Sequence, residues 1–177
     1  MYHKRLNPIH NFILTNHNLV FLNYKINKNG TCQCGRSQTS AILWIIWGLV
    51  HILAGIMTIY NDAAGAFAGI ADTVDPALLT GPYNEAVGAV VNQHGFNLGW
   101  IGAFTLIGAF YIWRGSVTAM FFTGIVGGLA DVGYFVFMDL GGFVNFVPGT
   151  IMTLISSAAI LLSVWAWTRT QAQSRNG

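Results

Sequence analysis

Two ionisable side chains fall inside long apolar runs: His51 within residues 41–60 and Asp131 within residues 116–139. A charge near the centre of a membrane-crossing helix costs roughly 2.5–3.5 kcal/mol on insertion scales. Each group therefore requires a partner, a proton or a water-lined cavity. An imidazole and a carboxyl at one depth can hold a proton, a metal or a small ligand, or can simply lock two helices in register. Tyr134, one turn beyond Asp131, together with His94 and Asn97 extends the candidate polar path toward the surface.

The depths are comparable. His51 lies nine residues before Tyr60, about 13 Å along a helix rising 1.5 Å per residue. Asp131 lies eight residues before Asp139, about 12 Å by the same rise. If these two spans touch, His51 and Asp131 can hydrogen-bond. A haem gripped by two histidines fits badly, because His94 sits near the surface and His51 well below it. A haem with one axial histidine, or a quinone, stays open. The histidines and scattered acids make no closed metal set.

Positioning these groups takes four spans, read at 41–60, 96–113, 116–139 and 147–167, each close to the 20 residues a bilayer needs. Gly48, His51 and Gly55 share one face of the first, where small residues admit another helix or a flat ligand. Gly124, Gly127 and Gly128 make the third a packing surface, Gly124 and Gly128 forming a GxxxG pair. Arg114-Gly115 marks a short turn, which makes spans two and three antiparallel neighbours. Asp75-Pro76 and Gly81-Pro82 are helix-start signals in the 61–95 connection. They predict one or two short interfacial helices there, or an early start of the second span. Pro148 marks the start of the fourth span. Trp44, Trp47, Trp113, Trp165 and Trp167 gather toward one end of their spans, where an interfacial aromatic belt would lie.

Composition agrees. Of 177 residues 54% are hydrophobic and only 8% charged, against about 25% charged in soluble domains. Residues 1–39 are Asn-rich and hold no alanine. Their apolar patches at 12–14 and 20–22 are too short to span. The segment reads as a disordered cytoplasmic tail or as sequence upstream of the true start. Residues 40–170 form the transmembrane domain and 171–177 a cytoplasmic tail. Cys32 and Cys34, one residue apart, suit neither an ordinary disulfide nor a zinc site and read as free thiols.

The basic residues define an orientation. Lys4, Arg5, Lys25, Lys28 and Arg36 precede the first span, Arg114 joins spans two and three, and Arg169 and Arg175 follow the fourth. The 61–95 and 139–146 loops hold none, and the first carries Asp62, Asp72, Asp75 and Glu85. The positive-inside rule places both termini in the cytoplasm. The expected fold is an all-α integral membrane protein, an antiparallel four-helix bundle of the bacterial inner membrane. No phosphate loop, nucleophile elbow or basic aromatic patch points to nucleotide, hydrolase or nucleic-acid chemistry.

Four short spans, a first helix reading WGLVHILAG and a body of residues 40–170 resemble the DoxX-like group of small bacterial membrane proteins. The resemblance implies a link with respiratory or thiol-redox systems, in which some members take part, and transfers no residue role. Three functions remain open. One is a binding or accessory protein, self-associating or acting as a subunit of a larger membrane complex. Another is a redox component holding quinone or haem near His51. The third is a proton-coupled carrier of a small solute using Asp131.

Overall fold

In a computed structural model, the described residues are 31–70, 74–79, 81–145 and 150–175. They form five α-helices: α1 Thr31–Tyr60, α2 Ala63–Ile70, α3 Glu85–Trp113, α4 Val117–Tyr134 and α5 Ile151–Arg175. A 3-10 turn spans Pro76–Leu79, and α4 continues as a π-helical turn over Phe135–Asp139. Among the described residues there is no strand. One isolated antiparallel bridge, Val74 to Val144, ties the 61–84 connection to the loop after α4.

Four segments are long and apolar enough to cross a membrane: Ser37–Tyr60, Glu85–Trp113, Val117–Asp139 and Ile151–Arg169. Their outer faces carry large apolar side chains such as Leu53, Ile107, Leu129 and Leu161, which suits lipid contact.

The boundaries differ from the sequence expectation in three places. The first helix is described from Thr31, and its part long and apolar enough to cross a membrane runs Ser37–Tyr60, a few residues earlier than expected. The second starts at Glu85 rather than 96, because Asn84 caps it: its Oδ1 accepts from Ala86 N at 2.9 Å. Glu85 then complements the positive end of the helix dipole. The early-start alternative for the 61–95 connection is thus the one adopted, alongside one short helix and one 3-10 turn. The last helix opens at Ile151 and runs to Arg175, well past 167. The expectations for residues 1–30, for Asp72 and for Pro148, and the side chains of Cys32 and Cys34, lie outside the described residues.

Asp75-Pro76 and Arg114-Gly115 act as read, and Ser116 adds a cap. Asp75 Oδ1 accepts from Ala77 N at 2.9 Å and opens the 3-10 turn. Ser116 Oγ accepts from Ala119 N at 3.3 Å at the start of α4. Gly115 takes φ +82°, which lets α3 reverse into α4 within a few residues.

Gln33–Gly177 holds the fold. In lipid, apolar surface gains nothing by leaving the solvent, so close packing and polar bonds must hold helices together. Both occur along α1. Its inward face repeats at three- and four-residue steps through Ser37, Ser40, Ala41, Trp44, Trp47, Gly48, Gly55 and Thr58. Glycines let α1 and α3 touch backbone to backbone. A side-chain carbon at Gly48 would lie 2.8 Å from Gly102 O, and one at Gly55 only 2.5 Å from Gly95 O. On α4, a carbon at Gly127 would strike the Trp44 ring. At the N-terminal end of α1, Ser37 donates to Ile112 O of α3 at 2.5 Å and Ser40 to Ala159 O of α5 at 2.9 Å. Ser40 also shares a hydrogen bond with Ser163 at 2.7 Å. Helix α1 therefore contacts α3, α4 and α5.

Candidate functional site

Asp131 sits on α4 just before the π turn and is 4% exposed. Its Oδ2 accepts the indole N–H of Trp47 at 2.8 Å. Its Oδ1 lies 4.0 Å from Nε2 of His51. The Ser156 side chain of α5 is a further partner of the carboxyl. That hydroxyl also reaches Thr153 O at 3.1 Å. A single O–H cannot serve both acceptors at once. Three helices thus meet at one carboxyl.

The His51 ring is fixed twice. It stacks on Trp47, with ring centroids 3.5 Å apart and planes 19° from parallel. Its Nδ1 lies 2.8 Å from the carbonyl oxygen of Trp47. A carbonyl only accepts, so Nδ1 must carry the proton. In the neutral ring Nε2 is then an acceptor, and it faces another acceptor, Asp131 Oδ1. Two acceptors 4.0 Å apart exceed a direct hydrogen bond, which needs about 2.7–3.2 Å. The spacing suits one donor group bridging both. The chemistry this arrangement offers is the capture of a proton or of a ligand bearing N–H or O–H groups.

The two groups matched by depth therefore do meet. The sequence expectation for Trp47, which supplies the one full-time donor to the carboxyl, is a place in an interfacial belt. That assignment is corrected for Trp44 and Trp47, both 0% exposed and packed edge to face at 5.7 Å. Trp113 and Trp165 are exposed. The available signal was spacing: Trp44, Trp47 and His51 stand at steps of three and four on one helix.

The remaining candidates lie away from this pair or pack helices together. Asn97 Oδ1 accepts the Trp100 indole N–H at 3.1 Å, and His94 is exposed on α3. Tyr134 is half-buried near the end of α4. Gly48 and Gly55 pack against α3 and Gly127 against Trp44, as above. Gly124 and Gly128 face Ile160 of α5, where added carbons would lie 3.5 and 3.0 Å from its side chain.

A haem on His51 does not fit these residues. An iron bound at Nε2 would need about 2 Å to the nitrogen, inside the 4.0 Å that separates it from a carboxylate oxygen. One face of the ring is covered by Trp47. The glycines that might have admitted a flat macrocycle are filled by the α3 backbone. Among the described residues no group of three His, Cys, Asp or Glu side chains could hold a metal ion.

Beside Asp131, between α4 and α5, lies a groove of about 290 Å³. Gly124, Gly128, Ile125, Leu129 and Ile160 form its apolar walls, and Asp131, Thr153, Ser156 and Ser157 its polar part. Thr153 Oγ1 is buried without a hydrogen-bond partner.

Compared with known proteins, the chain matches no family model, no curated protein and no solved structure.

Proposed function

We propose that this is a small binding or accessory protein of the bacterial inner membrane, whose polar centre at His51 and Asp131 takes up a small hydrogen-bonding ligand. The observation that carries the reading is the Nε2–Oδ1 pair, two acceptors held 4.0 Å apart by a stacked ring and an indole bond. A pair built only to lock helices would close that gap with a direct bond. Here the locking bond is made by Trp47, and His51 is left poised.

The bundle is antiparallel, with both termini cytoplasmic and the polar centre in the outer half of the membrane. In support, Ser37, near the start of the first span, bonds to Ile112 O at the end of α3. The basic residues cluster at that same end, with Arg114 and Arg169 exposed there. Reporter fusions after residue 177 and within 61–84 test this topology.

The binding reading is tested by native mass spectrometry of protein extracted in mild detergent. Wild type should carry a bound mass that Asp131→Asn lacks. Identical bare spectra for both would overturn it. Loss of pH-driven solute uptake in Asp131→Asn would instead select the carrier reading.

A further inference from the structure

We infer that the groove between α4 and α5 is a lateral binding site for a lipophilic primary amine, its ammonium seated at Asp131. The inference rests on the binding reading above and adds the ligand class and the route of entry.

The argument is one of unmatched acceptors. A carboxylate offers about four lone-pair positions. Asp131 receives one full donor, Trp47 Nε1, and shares Ser156 with a backbone carbonyl. His51 Nε2 lies 4.0 Å from Asp131 Oδ1 but does not line the groove. Thr153 Oγ1, buried on the groove's edge, has no partner at all. Burying such groups without donors costs free energy, so the site asks for several donors at once. A hydroxyl brings one donor, a quaternary ammonium none, and a primary ammonium three. The ammonium also brings the charge complementary to the carboxylate.

The route follows from the walls. Ile125, Leu129 and Val132 line the groove and are 56%, 66% and 55% exposed on the surface that lipid would cover. Gly124 and Gly128 keep the groove open between them. An alkyl chain can lie along these residues with its head at Asp131. The volume of about 290 Å³ is just below the roughly 300–1,000 Å³ of small-ligand pockets, which suits a head group and a slim chain.

The test is thermal melting of the full chain in one mild detergent with decylamine, decanol or decyltrimethylammonium. Decylamine should raise the midpoint by on the order of 5 °C near saturation, and the other two should not. Asp131→Asn should lose the shift. Thr153→Val, an isosteric change at an unpartnered hydroxyl, should lose most of it and serves if Asp131→Asn does not fold. An equal shift with decyltrimethylammonium, a full shift in either variant, or no shift in wild type would overturn the proposal. No shift alongside an Asp131-dependent bound mass would remove the amine and leave the binding reading. Absence of both would remove the two together.

Discussion

Trp47 and Asp131, on different helices and far apart in sequence, are joined by an indole N–H to carboxylate bond of 2.8 Å. This bond ties α1 to α4 and sets where the carboxyl points. The same indole carries the His51 ring on its face, and the backbone carbonyl of Trp47 accepts a hydrogen bond from His51 Nδ1. One residue thus orients both members of the candidate site.

Removing that donor should be costly in a specific way. Trp47→Phe keeps an aromatic ring but leaves the carboxyl without its full-time donor, a loss of about 1–3 kcal/mol. Trp44→Phe is the control, because Trp44 Nε1 is buried with no partner. Melting in the same detergent should show Trp47→Phe as the more damaging change. Equal midpoints would mean that the indole bond adds nothing to stability.

At Asp131 the acceptor matters more than the charge for folding. Asp131→Asn retains an oxygen that can accept from Trp47, whereas Asp131→Leu does not. The leucine variant should be the less stable by about 1–3 kcal/mol. Chemical denaturation in mixed micelles measures the difference. An asparagine variant as unstable as the leucine one would assign stability to the negative charge itself.

Glycines of similar sequence context should respond differently. At Gly55 a methyl group would meet the α3 backbone at 2.5 Å, and backbone cannot yield cheaply. At Gly124 it would meet only Ile160 Cγ1 at 3.5 Å, an ordinary contact. Gly124→Ala should therefore be neutral or gain up to about 1 kcal/mol from helix propensity. Gly55→Ala should lower the melting point clearly. The reverse order would contradict the α1–α3 contact.

Thr123 is 1% exposed and its Oγ1 has no hydrogen-bond partner. Thr123→Val keeps the shape and removes the unmet hydroxyl. It should raise stability by about 1 kcal/mol or leave it unchanged. A marked loss of stability would show that the hydroxyl is partnered in the membrane, by a water or a neighbouring carbonyl.

Much of this arrangement was legible in the sequence. Equal depths of His51 and Asp131 followed from counting residues to the span ends, and helical rise makes such counts reliable. Trp47 was hidden because tryptophan in the early turns of a span has two uses, anchoring at the interface and filling a core. Only the register of α1 against α4 decides between them, and that is a tertiary property. Its step of four from His51 was visible and is the clue to weigh. The start of α3 was obscured because Asn92, Gln93, His94 and Asn97 dilute the apolar pattern without breaking the helix. Of the partners of Gly48 and Gly55, Gly95 lay in that diluted stretch, whereas Gly99 and Gly102 lay within the span as read.

The central claim is that His51 presents Nε2 to Asp131 because Nδ1 is held by Trp47. Nitrogen NMR of the histidine side chains, in the folded protein in detergent, addresses it most directly. The geometry predicts a proton on Nδ1 of His51 and an Nε2 resonance that moves in Asp131→Asn. An Nε2-protonated, Nδ1-bare tautomer whose resonances ignore Asp131→Asn would contradict it.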